Sequence, residues 1–222
     1  MGPYLPLCAF REGLLPPACR RCTWWQTTGK ERLTEEALVE KKRRWMTALE
    51  HTWGTTGLLL EKTNGGTEEG HAQPRIIGSI NFSPPEALPR LHELSFPCLP
   101  AESAVVFCLR TEPGAGRQLP KRLLHKSLAE LRSRGVKEVF AFAKENRVDA
   151  LPGEVAEGCR FFPLDFLLAN GFHVAGTNGN LVLMRADLRG LIALAAQVEA
   201  AVRKLLHNEP APSPAAWSRR LT

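Results

Sequence analysis

Two groups of residues in this chain have the types and spacing to do chemistry. The first is the run from Glu112 to Gly135, "EPGAGRQLPKRLLHKSLAELRSRG". Gly114 and Gly116 give a turn, and a basic amphipathic helix follows. Backbone N–H groups at a helix start, reinforced by the helix dipole, hold anions such as phosphates. Arg117, Lys121 and Arg122 add positive charge. The same residues also suit an ordinary capped helix with a solvated basic face. The second group is cysteine. Cys19 and Cys22 form a C-x-x-C next to Trp24 and Trp25, and Cys159 lies far downstream. A structural zinc site needs about four ligands, and Cys8 and Cys159 could complete one. Two thiols tucked beside the tryptophans is the simpler reading.

The elements that must position these groups follow from apolar periodicity. Thr34 can cap a helix whose first turn carries Glu35 and Glu36 and whose end is Gly54. Leu38, Trp45, Leu49 and Trp53 mark its buried face, with Lys41, Lys42, Arg43 and Arg44 on a solvated flank. "TGLLLEKT" and "RIIGSINFS" read as a hairpin with a long glycine-rich loop. "SAVVFCL" suits a strand buried on both faces. From about Leu119, residues Leu123, Leu124, Leu128 and Leu131 share one side of a helix, which Gly135 ends. "VKEVFAFA" is then a strand parallel to the first, reached by a right-handed crossover. "PLDFLLANG" is a short helix. "FHVAG" and "NLVLMRADL" form a hairpin around "TNGN". A last helix carries an apolar stripe from Leu191 to Leu206, which offers a homodimer interface. Residues 1–30 read as an irregular cysteine-bearing arm, residues 31–208 as one α/β domain, and residues 209–222 as a mobile tail.

Composition narrows the classes. The chain has 222 residues, 29 Lys and Arg against 23 Asp and Glu, and a formal charge of +6. That balance favours anionic ligands without demanding nucleic acid, and no basic-plus-aromatic surface motif is present. No stretch reaches the ~20 apolar residues that span a membrane. The N-terminus lacks a basic start and is broken by Pro6, Pro16 and Pro17, so it does not read as a signal peptide. A cytoplasmic location with reduced cysteines is the expectation.

The order helix, hairpin, buried strand, helix, strand, short helix, hairpin resembles the GCN5-related N-acetyltransferase (GNAT) superfamily. The residues that carry the likeness are "AVVFCLRTEPGAGRQLPKRLLHKSLAELRSRGVKEVFAFA" and "FPLDFLLANGFHVAG". The first is similar to the family's acetyl-CoA motif; in the second, Asn170, Gly171 and Phe172 match the turn after its short helix. One bacterial group of these proteins is similar in its N-terminal C-x-x-C followed by aromatics, as in "CRRCTWW", and in a Cys before the short helix.

The resemblance implies an α/β fold with a mixed central sheet flanked by helices. It implies acetyl-CoA as acyl donor and a small-molecule or peptide amine as acceptor. Phe107, Leu109, Gly116, Arg117, Gln118, Leu119, Lys121 and Arg122 would then contact the donor. The family's loop carries an Arg or Gln and two small residues; counted back from Gly135, those positions hold Ala115, Gln118 and Pro120. The Tyr that serves the family as general acid falls at Leu167. Cys159, or a water, would have to take its place. Glu93, Glu102 and His92 precede the buried strand and could face an acceptor. The rival expectation is a non-catalytic member that binds a partner or another anion through Lys121, Arg122 and their neighbours.

Overall fold

A computed structural model describes residues 3–29, 32–62, 75–144 and 160–189. Residues Met1–Leu188 form one compact unit and Arg189–Thr222 a second. The last helix, the mobile tail and Cys159 lie outside the described residues. The elements described all belong to the first unit.

The helix predicted after Thr34 is present. After β1 (Tyr4–Pro6) and the short α1 (Pro17–Arg21), α2 runs Glu35–Thr52. Thr34 Oγ1 accepts the Ala37 N–H at 3.3 Å, the N-cap bond its position implies. Of the expected face, Leu49 is buried and Trp45 and Trp53 pack partly buried against the core, but Lys42 and Met46 are buried as well. Lys42, read as a solvated flank, is only 5% exposed. Its aliphatic stem packs inward while its ammonium finds the carbonyls of Cys19 and Cys22. A long amphipathic side chain thus serves where a leucine would be expected.

β2 (Gly57–Glu61) and β3 (Ile76–Ser83) pair antiparallel as a hairpin. β4 (Ser103–Thr111) follows, then α3 (Leu119–Ser133) and β5 (Glu138–Lys144). β4 and β5 pair in parallel, as a crossover helix between them requires. A short β6 (Phe162–Pro163) leads into α4 (Leu164–Leu168), and β7 (His173–Asn178) and β8 (Leu181–Asp187) form an antiparallel hairpin. The strand order is β1-β2-β3-β4-β5-β8-β7, with β6 on β5. This is the mixed central sheet flanked by helices that the resemblance implies.

The N-terminal arm is not irregular throughout. Its Tyr4–Pro6 segment adds an edge strand to β2. Proline can lie there because an edge strand leaves one side without ladder bonds.

Two apolar layers sandwich the sheet, and strand alternation assigns residues to them. Ala104 and Val106 of β4 and Val139, Ala141 and Ala143 of β5 face α3 and α4, where Leu119, Leu123, Leu124, Leu131, Leu167 and Phe172 are buried. Val105, Phe107, Phe140 and Phe142 face the other way, onto Trp25 and Leu88 with Trp45 of α2 at the margin. Helix α3 sits close to the sheet because β3 is glycine at 78: a Cβ there would lie 2.7 Å from Leu123 Cδ1. Leu123 is fully buried. Leu123→Ala should therefore cost about 2–5 kcal/mol, measured as the change in unfolding free energy in urea.

Candidate functional site

The site begins where β4 and β5 stop pairing. Their register is Ser103 with Glu138, Ala104 with Val139 and Val105 with Phe140. Both strands then continue, to Thr111 and Lys144. β5 is still held by β8 along its whole length, from Glu138–Asp187 to Lys144–Leu181. β4 instead follows β3. Each strand keeps its outer partner, so the two separate and leave a wedge in the sheet. β6 fills only its far end, pairing at Ala143 and Lys144.

A β-bulge accompanies the separation. On β3, Ser79 and Asn81 are two residues apart, but their partners Arg110 and Phe107 are three apart. The extra residue falls at Cys108, whose φ is +52°. A non-glycine residue in that region is strained by about 1–3 kcal/mol and marks a place where the surroundings dictate the backbone. The bulge also switches the facing of the strand. Leu109 packs with the α3 layer, while Phe107 and Cys108 pack with the opposite layer. Phe107 and Leu109, grouped together as donor contacts by the resemblance, therefore lie on opposite faces.

The turn into α3 lies beyond the end of β4. Gly114 and Gly116 have φ of +79° and +98°, and a Cβ at either would meet nothing within 4 Å. Ala115 N–H donates to Glu112 O, and Leu119 N–H to Gly116 O. The N–H groups of Gly116, Arg117, Gln118 and Lys121 donate to no backbone carbonyl among the described residues. Pro120 takes the second helical position, where its missing N–H deletes one of the donors a helix start offers. Gln118 is the N-cap residue, and its side chain makes no capping bond. Arg117, Gln118 and Lys121 are exposed, whereas Leu119 is buried and its side chain belongs to the core.

An open groove of about 690 Å³ runs along the outer side of α3, lined by Tyr4, Gln118, Lys121, Arg122, His125 and Lys126. Among the described residues, no carboxylate lines it. His125 Nε2 is 2.8 Å from Asn170 Oδ1, and Asn170 Nδ2 donates to Phe166 O at 2.6 Å. The Asn-Gly-Phe turn thus ties α4 to α3, and Phe172 anchors it in the core.

The position of the expected general acid, Leu167, is fully buried in the α3 layer. Glu93 and Glu102 are already engaged. Glu93 accepts the Gly29 N–H at 2.9 and 3.1 Å and pairs with Arg90. Glu102 lies 2.5 Å from Lys137 Nζ, and this hydrogen bond holds its carboxyl below the usual range. A carboxylate made more acidic is a poor proton acceptor.

Cys19 and Cys22 are both half-buried, and the Cys22 N–H donates to Cys19 O at 3.3 Å. The Lys42 ammonium donates to the carbonyls of Cys19 and Cys22, at 2.5 and 3.2 Å. Arg110 Nη1 reaches Cys19 Sγ at 3.5 Å. Among the described residues, no group of three or more His, Cys, Asp and Glu side chains could hold a metal. The zinc reading of Cys19 and Cys22 thus gains no third ligand there. What the arrangement does is fasten the arm: a buried cation on α2 clamps the C-x-x-C turn by its backbone, and β4 touches its sulfur. Sequence reasoning missed this clamp because a run of four basic residues reads as a surface. It also missed the bulge, which has no glycine to signal it.

No family model matches the sequence, and no curated protein matches it. Several solved acetyltransferases are similar in fold. One is an N-acetyltransferase from Thermoplasma acidophilum in complex with coenzyme A, at 16% identity over 83% of this chain and 98% of that one, with a TM-score of 0.47. Another is a ribosomal-protein-alanine N-acetyltransferase from Brucella melitensis, at 15% identity over 84% and 99%, TM-score 0.47. A third is a GCN5-related N-acetyltransferase from Kribbella flavida, at 16% over 84% and 97%, TM-score 0.46. Among the described residues no helix is long and apolar enough to cross a membrane.

Two measurements check the clamp and the thiols. Lys42→Met keeps the stem and leaves two carbonyls without their charged donor, so it should cost about 1.5–3 kcal/mol and speed proteolysis of the arm. Burial pushes the Cys8 thiol above its usual range, whereas Cys98 is exposed. Cys98 should therefore react with a disulfide reagent at least ~10-fold faster than Cys8 in the native protein, and denaturant should erase the difference.

Proposed function

We propose that this protein is an acyl-CoA-dependent N-acyltransferase acting on an amine. The observation that carries the reading is the wedge between β4 and β5. It opens one strand edge on each side, with the bulge at Cys108 in one wall and an uncommitted set of N–H groups at the start of α3. An extended pantetheine arm has amides that can pair with exposed strand edges. A pyrophosphate suits the N–H groups of Gly116, Arg117 and Gln118, with charge from Arg117, Lys121 and Arg122. The open space around Gly114 and Gly116 lets phosphate approach. These residues fit the donor, although Pro120 leaves the cradle one donor short.

Acyl-CoA supplies an acyl group on a thioester: the acceptor nitrogen bonds to the carbonyl carbon, the C–S bond breaks, the nitrogen loses a proton and the sulfur gains one. The chain's part is to hold the donor extended in the wedge, to place N–H groups at the carbonyl, and to manage two protons. With Leu167 in place of an acid, the proton for sulfur comes from Cys159 or from water. The acceptor would be a small-molecule or peptide amine.

A second reading has an observation of its own. The groove along α3 gathers Lys121, Arg122, His125 and Lys126, and no carboxylate among the described residues lines it. Together with Pro120 and Leu167, this suits a non-catalytic protein that binds another anionic ligand.

Calorimetric titration with acetyl-CoA and with CoA decides between them. Binding of both is expected; no heat at millimolar ligand removes the acyltransferase reading and leaves the second. Pro120→Gly restores a donor and should tighten acetyl-CoA binding between about twofold and tenfold, the range of one net hydrogen bond. Arg117→Ala should weaken it about fivefold, the worth of one screened charge.

A further inference from the structure

The Trp25 ring packs across the two strands where the β4–β5 pairing ends. The last β4–β5 pair is Val105 with Phe140. Phe107 and Phe142 are the next residues on the same face of each strand, one on either side of the opening. The Trp25 ring lies against both, at 5.4 and 5.5 Å between centroids. Trp24 at 4.8 Å and Phe161 at 6.1 Å flank it. The indole therefore bridges the two walls of the wedge on the face away from α3. It comes from the N-terminal arm, which the Lys42 clamp and the contact of Arg90 with Trp24 hold in place.

Trp25 is 1% exposed, and among the described residues its Nε1–H has no hydrogen-bond partner. A buried N–H without an acceptor is costly, and buried tryptophans usually satisfy theirs. Phenylalanine would fill an apolar pocket without that cost. The indole N–H is a donor only, so what completes it must present an oxygen lone pair among these packed aromatic rings. The acyl donor proposed above has one such atom at its reacting end, the thioester carbonyl oxygen. We infer that Trp25 donates its Nε1–H to the acyl carbonyl of a donor bound in the wedge, so that the N-terminal arm contributes a substrate-contacting residue. Once ligand entry uncovers it, a donor beside an oxygen that gains negative charge during transfer assists the reaction, and it does so most where water is excluded. The inference rests on the acyltransferase reading.

The test uses the full chain labelled with nitrogen-15. The Trp25 indole signal is assigned by its loss in Trp25→Phe or, if that variant does not fold, by its proximity to the Phe107 and Phe142 rings. Acetyl-CoA should move this signal downfield, and CoA, which lacks the acyl carbonyl, should not. Trp25→Phe should raise the Kd for acetyl-CoA about tenfold and leave that for CoA unchanged. If acetyl-CoA shifts the backbone amides of Gly116 and Arg117 but not the Trp25 indole, the inference fails and the acyltransferase reading stands. If neither ligand shifts any signal, both fail.

Discussion

The constraint on which this structure depends is a conflict over partners. β4 has β3 on one side and β5 has β8 on the other, and each outer pairing outlasts the inner one. After Val105 and Phe140 the two parallel strands no longer pair. Buried backbone groups must be paired somewhere, so a wedge in the middle of a sheet is costly unless something enters it. The chain fills part of it with Phe162 and Pro163 of β6. Beyond that, the bulge at Cys108 lies in the β4 side, and the Trp25 ring packs on Phe107 and Phe142 of the two strands.

The bulge gives the wedge two different sides. By inserting one residue it turns Leu109 toward α3 and Cys108 toward the layer of Trp25. The strand therefore carries a leucine on one face and an aromatic wall on the other. The strain at Cys108 is stored in the strand that must be reshaped, and the pairing with β3 and the two apolar layers sustain it. The arm is fastened in three places: β1 pairs at the sheet edge, Lys42 clamps the C-x-x-C turn, and Trp25 packs on Phe107 and Phe142. Cys19 and Cys22 thus matter for the backbone carbonyls they offer as much as for their thiols.

Much of the fold was legible because its signals are local. The apolar stripe of Leu123, Leu124, Leu128 and Leu131 defined α3, and the helix begins at Leu119 as its periodicity predicts. Gly135 ended it, and Asn178-Gly179 made the last hairpin. The parallel pair followed from a helix lying between two apolar strands. What stayed hidden depends on tertiary pairing. Nothing in "VVFCLRT" announces that Cys108 is an extra residue, because the strain is imposed by β3. Lys42 in "KKRR" looks like surface until the C-x-x-C turn supplies two carbonyls. The edge strand at Tyr4 was masked by its prolines. Within the candidate site, the basic start of α3 was readable, but the separation of Phe107 from Leu109 was not.

If the wedge between β4 and β5 is where the ligand lies, hydrogen–deuterium exchange of the full chain, with and without acetyl-CoA, reveals it most directly. Ligand should slow exchange in residues 106–111 of β4 and 141–144 of β5, together with residues 116–121. Protection confined to the outer side of α3, with the strand segments unchanged, would contradict a ligand in the wedge.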